Sequence, residues 1–238
     1  ATPALQPRDP DRHGLRHSPI AAVLVTNGDI DHVAGLLTLR ERQPFTLWTT
    51  ADIAAVLDAN PIFEALNREV VARRTLALDA PVEVLAGLSV ELFAVPGKVP
   101  LYMEGETVET ELEGEQTVGV RLSDGERTLF YVPGCAAMTP ALAERLRGAE
   151  LVLFDGTVFH DDEMRRAGVG TKTGRRMGHM PMAGEGGSLA GFAELDVARK
   201  VYVHMNNTNP VWRPDSPERR IVADAGWLVA HDGMELGW

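Results

Sequence analysis

The chain has 238 residues, long enough for one substantial core, with 23 basic against 34 acidic side chains and a net charge of −11 with histidine neutral. That acid excess argues against nucleic acid as a general partner, and no apolar stretch is long enough to span a membrane or marks a signal peptide. A single cysteine, Cys135, excludes an internal disulfide and a cysteine-only zinc site and fits a reducing, cytoplasmic setting.

Residues 1–18 are rich in Pro, Arg and His without periodicity and read as irregular. The chain opens on Ala1, so we expect an N-terminal piece to have been removed or to lie outside it. Ile20–Val25 is apolar and β-branched, a short buried strand. Asn27-Gly28 breaks it, and Asp29, Asp31 and His32 follow just ahead of the helix-like VAGLLTLRE. Thr46–Thr49 reads as a strand, Thr50 as the cap of a helix over ADIAAVLDA, and Asn60-Pro61 as the start of another helix. Val70–Leu78, Val82–Leu85 and Ser89–Val95 read as successive strands. Pro96–Pro100 is a restricted loop, and the acidic Leu101–Gln116 a solvated hairpin or flap. Val118–Leu122 and Thr128–Val132 form a hairpin around Asp124-Gly125. Thr139-Pro140 opens a helix to Leu146, and Leu151–Phe154 is a buried strand with Asp155 at its end. A short helix over Asp161–Ala167 leads to the glycine- and arginine-rich loop Gly168–Gly187. Ser188–Leu195 is helical, and Lys200–Val203 is a strand ending at His204. Ser216-Pro217 starts a helix to Ala225, and Trp227–Ala230 with Met234–Leu236 reads as a closing hairpin. No repeat, low-complexity tract or linker interrupts the chain, which reads as one domain.

Asp31-His32, Asp155 and His204 therefore stand where apolar strands end. Each has a plain structural explanation: a helix cap, a turn residue, a hydrogen-bonded core histidine. Together they suggest more, because strand ends of one layered sheet converge in space, and these are metal-ligand types.

The strand–loop–helix carrying Asn27-Gly28-Asp29-Ile30-Asp31-His32 resembles the metallo-β-lactamase signature, in which a His-x-His-x-Asp-His run precedes a helix. The segments Val95–Leu101, Tyr131–Ala136, Phe154–Thr157, Met177–Met180 and His204–Pro210 together resemble the pyrroloquinoline quinone biosynthesis protein B family, from about Ile20 to the C-terminus. The resemblance implies an α/β, metallo-β-lactamase-like αββα sandwich. The N-terminal strands and cysteine-rich zinc knuckle usual in that family have no counterpart here, so part of the first sheet is expected to be missing. Asn27 and Asp29 replace both histidines of the first metal site. By the family pattern the second site falls on Asp31, His32, Asp155 and His204. Two histidines with carboxylates and open positions suit a mononuclear Fe(II) oxygenase better than a two-zinc hydrolase, with zinc a similar fit.

The activity so implied is an iron- and O2-dependent hydroxylation of the tyrosine-derived ring of a cross-linked Glu–Tyr precursor. The partners implied are that small substrate and O2, with no nucleic acid or membrane and an oligomer left open. His179 and Asp29 are candidate acid–base groups. Lys172, Arg175, Arg176 and Lys98 are candidates to hold substrate carboxylates, against a plain reading as a solvated basic loop. Asn27, Asn206 and Asn207 are candidates to orient the ligands, or in the case of the last two simply to build the turn before Pro210. Cys135 reads as a small buried residue. The competing functions are a non-catalytic carrier of the quinone cofactor or its precursor, and a zinc hydrolase.

Overall fold

A computed structural model describes Asp11, Gly14 and residues 16–105 and 109–237. The expected irregular segment before Ser18 lies largely outside these residues, as do His13 and Glu106 of the acidic stretch. The strands are β1 (Ala22–Leu24), β2 (Phe45–Thr49), β3 (Val71–Thr75), β4 (Val82–Leu85), β5 (Leu88–Ala94), β6 (Val118–Ser123), β7 (Thr128–Val132), β8 (Leu151–Asp155), β9 (Arg199–Val203) and β10 (Trp227–Val229). They form a parallel three-stranded sheet in the order β1-β2-β3 and a seven-stranded mixed sheet in the order β10-β9-β8-β7-β6-β5-β4. β4 through β7 pair antiparallel, and β7 through β10 pair parallel.

The period-two alternation of the strands builds the layers. On β2, Trp48 faces the second sheet, with Val90 and Leu92 of β5 and Val118 and Val120 of β6, in a core between the sheets. Phe45 and Leu47 of the same strand point the other way, onto Ile53 and Leu57 of the helix α2 (Ala51–Asp58) and onto Phe63 and Leu66. On the far face of the larger sheet, Phe154, Tyr202 and Trp227 pack with Leu142 and Leu146 of α3 (Pro140–Leu146), Phe192 beside α5 (Ser188–Gly191) and Val222 of α6 (Pro217–Asp224). Helices, two sheets and helices again make the αββα sandwich expected from the sequence.

The expected caps are present. Thr50, Thr139 and Ser216 accept from the backbone N–H groups of Ile53, Leu142 and Arg219, each three residues on. Helix type differs in two places. VAGLLTLRE gives one turn of α-helix, α1 (Ile30–Val33), continuing as a 3-10 helix over Ala34–Leu39, and Pro61–Ala65 is wholly 3-10. α4 is a single turn, Glu163–Arg166. The closing hairpin is not formed. Trp227–Val229 pairs parallel with β9 instead, and Met234 N–H closes a turn on His231 O at 3.0 Å. Trp227 lies flat on Tyr202 at 3.9 Å between centroids, so burying the aromatic pair sets the strand's partner.

Where β5 meets β6, Phe93 sits opposite Gly119 with its ring over the glycine, 2.3 Å from the place a Cβ would take. Phe93 is itself in the core and roofed by the Arg145 guanidinium at 4.7 Å. Gly119→Ala is therefore expected to lower stability by ~1–3 kcal/mol through overpacking. The check is a lower urea midpoint at unchanged slope.

Candidate metal centre

Three strand ends deliver the site. β1 runs out through Thr26, whose carbonyl accepts from Val118 N–H at 2.9 Å, and so ties the small sheet to the large one. Asn27 Oδ1 then accepts from Asp29 N–H at 2.9 Å, turning the chain into α1 and presenting Asp31 and His32. Gly28 is fixed at this turn by lack of space, since a Cβ there would lie 2.9 Å from Pro100 and 3.0 Å from Val56. On the larger sheet Asp155 of β8 is paired in register with Val203 of β9, which sets His204 beside it. His204 has φ 55°, a left-handed conformation that costs a non-glycine residue ~1–3 kcal/mol. The bend is held from both sides, by Gly156 N–H on the Val203 carbonyl at 2.8 Å and by Asn206 N–H on the Thr157 carbonyl at 3.0 Å.

Asp155 is fully buried, and both its oxygens are occupied. Oδ1 accepts from Thr157 N–H at 3.0 Å and from its hydroxyl at 2.6 Å. Oδ2 accepts from Cys135 N–H at 3.0 Å and meets His179 Nδ1 at 2.7 Å. The positive field of His179 and the partnership of His204 hold this carboxyl well below the usual carboxylate range despite its burial. The Thr157 hydroxyl also lies 2.9 Å from His204 Nδ1. With its own proton on Asp155, it accepts one from Nδ1, and this network assigns the tautomer that leaves His204 Nε2 a lone pair.

That lone pair points at two others. His32 Nε2 is 3.0 Å from His204 Nε2, and Asp31 Oδ2 is also 3.0 Å from it. Three acceptors facing one another need a cation between them. Ligands ~2.0–2.1 Å from one transition-metal ion sit ~3.0–3.4 Å apart when their angle is between square and tetrahedral. The two spacings at His204 match that, His32 Nε2 and Asp31 Oδ2 stand wider at 4.0 Å, and the nitrogen–nitrogen–oxygen set is one that a divalent metal takes. In the metal-free protein a proton is drawn to this point. Burial works against charge on His204, but hydrogen bonding to Asp155 and Asp31 outweighs it and lifts the ring to about 10. Burial, then the neighbouring His204, push His32 down to about 4, and the hydrogen bond with His204 pulls Asp31 to about 2.

The structure divides the expected ligand set. Asp31, His32 and His204 converge as one group of donors, while Asp155 groups with His179 and His204. His204 is common to both, with Nε2 in the first group and Nδ1 turned toward Thr157 and Asp155. Asp155 supports the His204 ring from beneath through Thr157 and is saturated by hydrogen bonds. Beside the donors opens a pocket of about 380 Å3, lined by Asp31, Thr157, Met177, His179, His204, Met205, Asn206 and Asn207.

The other expected site residues are spread more widely. His179 joins the centre, 5.3 Å from His204 between ring centroids, where Gly134 leaves it room. Asp29, expected as an acid–base group, is turned to other work: its Oδ1 accepts from Leu101 N–H at 2.9 Å and lies 3.8 Å from Lys98 Nζ. Asn27 shapes the turn. Asn206 takes Met164 Sδ and Asn207 N–H as partners while lining the pocket. Of the basic candidates, Lys98 and Arg176 are paired with Glu104, Arg175 donates to the carbonyls of Glu185 and Gly186, and Lys172 has no ion pair among the described residues. Sequence reading missed Thr157, Glu104 and the Cys135 amide. The Asp155-Gly156-Thr157 run hinted at the first; nothing local in sequence pairs Glu104 with Arg176, 72 residues on, or singles it out for Lys98. Cys135 itself is buried, which pushes its thiol up, as suits a small core residue.

Comparison with known proteins sets this geometry in context. The model of the beta-lactamase superfamily domain matches residues 1–205. Coenzyme PQQ synthesis protein B of Ruegeria pomeroyi is 58% identical over 241 residues, covering 99% of this chain and 81% of that protein. The protein of that name in Methylobacterium nodulans is 57% identical over 236 residues, covering 99% and 78%. Among solved structures, Zn(2+)-bound PqqB from Methylobacterium extorquens superposes with a TM-score of 0.95 at 54% identity, covering 100% of this chain and 78% of that one.

Replacing a ligating imidazole should be far more costly to metal retention than replacing the turn-forming amide. His204→Ala and His32→Ala are each expected to weaken binding of a divalent transition metal by ~10²-fold or more, and Asn27→Ala by ~10-fold at most. Metal content after dialysis against a chelator series measures this; full occupancy in both histidine variants would remove the assignment.

Proposed function

The chain belongs to the coenzyme PQQ synthesis protein B family within the β-lactamase superfamily, and from that premise we propose that it is a mononuclear, iron- and O2-dependent hydroxylase. Its substrate in this reading is the tyrosine-derived ring of the cross-linked Glu–Tyr precursor of the quinone cofactor. The observation that carries the reading is the donor set: two imidazole nitrogens and one carboxylate oxygen converge beside an open pocket. Asn27 and Asp29, at the positions of the other histidines of a two-metal run, are meanwhile committed to backbone contacts. That is the ligand complement of a two-histidine, one-carboxylate iron site.

Asp31, His32 and His204 would hold the ion, and Fe(II) bound there would supply the activation of O2. The remaining residues do the positioning. Thr157 and Asp155 keep the His204 ring in the tautomer that ligates. With His179 Nδ1 on Asp155, Nε2 is the atom free to give or take a proton in the pocket. Met177 and Met205 give that pocket soft, polarizable walls suited to an aromatic ring. Among the described residues no helix is long and apolar enough to cross a membrane. We place the reaction in the cytoplasm, where the lone cysteine is at home.

The Methylobacterium extorquens relative was solved zinc-bound, so the test must separate the metals. Protein loaded anaerobically with Fe(II) is mixed with the cross-linked precursor and exposed to O2, with a zinc-loaded sample in parallel. The iron form is expected to consume O2 and give a product carrying isotope from labelled O2, and the zinc form to do neither. Saturable substrate binding without O2 uptake by the iron form would establish a carrier instead, and cleavage of substrate by the zinc form a hydrolase.

A further inference from the structure

At the edge of the metal centre lies a charged cluster that the ligand geometry does not use. Lys98 is buried, at 7% exposure. Burying an ammonium costs several kcal/mol unless a partner is supplied. The partner is Glu104, with Lys98 Nζ 3.1 Å from its Oε1, in a side chain only 8% exposed. Arg176 grips the same carboxylate as a fork, at 2.9 Å to Oε2 and 3.4 Å to Oε1. One carboxylate thus fills a seat made by two cations. Arg176, then Lys98, hold it at about 2 against the effect of burial.

The seat adjoins the site on two sides. Asp29, two residues before Asp31, lies 3.8 Å from Lys98 Nζ. Arg176 precedes Met177 and His179, both lining the pocket beside the donors. The Lys98 stem runs under Gly178, which has φ 87°; a Cβ there would stand 3.1 Å from Lys98 Cγ. The two cations are therefore fixed against the elements that carry the metal donors and His179.

Glu104 itself is carried by a segment held in an unusual way. Leu101, Tyr102 and Met103 are 55%, 49% and 51% exposed, so this stretch buries little apolar surface. What fastens it is polar: Leu101 N–H to Asp29 Oδ1, Tyr102 O–H to Gly28 O at 2.6 Å, and Glu104 to its two cations. A segment with few buried apolar contacts belongs to the least stable part of a fold. Beneath it opens a second cavity, of about 390 Å3, walled by Val56, Val99, Pro100 and Met103.

We propose that Lys98 and Arg176 form a carboxylate-binding site at the rim of the metal centre, that Glu104 is its resident occupant, and that a carboxylate of the ligand displaces Glu104 and frees the 101–104 segment. The ligand class is a small molecule bearing at least one carboxylate. Only the identity of the natural ligand rests on the hydroxylase reading. A tethered competitor acts at roughly millimolar effective concentration, so a simple carboxylate displaces it poorly, while a ligand that also engages the metal centre does so readily. This is also how a protein of net charge −11 can present a positive seat to an anion without leaving it empty.

The test uses glutarate and the full chain, metal-free, by calorimetric titration. Glu104→Ala removes the competitor and is expected to bind glutarate about tenfold or more tightly than the unaltered protein. Adding Arg176→Ala to it should abolish the gain. Glu104→Gln, which keeps the shape and loses the charge, should move affinity in the same direction by a smaller factor, and it carries the test if the alanine variant does not fold. Equal glutarate affinity in the unaltered protein and in the folded Glu104 variants would overturn the proposal and leave the cluster a structural ion pair. So would a gain that survives Arg176→Ala, which would put the glutarate elsewhere. Neither outcome bears on O2 uptake, so failure here and failure of the hydroxylase reading remain separate.

Discussion

A carboxylate with no access to water stays ionised only if every acceptor site on it is filled, and Asp155 meets that demand by drawing four stretches of chain to one point. The turn after its own strand supplies Thr157, the turn after β7 the Cys135 amide and the loop before α5 His179, while His204 at the end of β9 stands 3.8 Å away and is reached through Thr157. Secondary contacts then follow. Met180 N–H reaches Cys135 O at 2.7 Å and Met182 N–H reaches Val158 O at 2.9 Å, so a loop rich in glycine is ordered along the strand ends. The candidate donor His204 is thus positioned by a buried anion that groups with His179 rather than with Asp31 and His32. Removing its charge would release the ring that faces them.

Most of the architecture is readable from patterns with a short range. Alternating apolar residues mark β2, β5 and β6 and assign their faces, and Ser or Thr before a helix marks three caps that the structure confirms. The position of Asp155 and His204 at strand ends is equally local. What local pattern does not carry is which donor faces which. The motif groups Asp155 with Asp31 and His32, and the His204 ring stands between them, its Nδ1 toward Thr157 and its Nε2 toward Asp31, in an orientation set by the left-handed bend at His204. Such a bend has no sequence signature in a histidine. The closing hairpin failed for a related reason: Asp232-Gly233 does favour a turn, but burial of Trp227 against Tyr202 rewards a parallel partner far back in the chain.

Charge shows the same limit more sharply. Residues 101–116 read as a solvated acidic flap, and Glu109, Glu111 and Glu113 are indeed exposed. Two others are bound into the fold. Glu115 Oε2 accepts from Ala51 N–H at 2.8 Å, at the positive end of α2, and Glu104 answers Lys98 and Arg176. Composition counts these residues as identical charges. Ala51 and Arg176 lie 64 and 72 residues from their partners, and even for Lys98, close in sequence to Glu104, only the folded chain separates a solvating carboxylate from one that offsets a buried ammonium.

The same reasoning links the altered metal run to the polar segment beside it. In the His-x-His-x-Asp-His pattern the first two histidines project toward a metal. Here Asn27 accepts from Asp29 N–H and closes a turn, and Asp29 accepts from Leu101 N–H, while Gly28 O receives the Tyr102 hydroxyl. That turn is an anchor for residues 101–104. An imidazole at position 29 would not offer a carboxylate to Leu101 N–H and Lys98, and one at position 27 would not make the short side-chain-to-backbone turn of an asparagine. The two positions that depart from the histidine pattern are therefore among those that anchor residues 101–104. The turn that presents Asp31 and His32 and the Lys98–Glu104 pair beside it are tied together through the same two side chains.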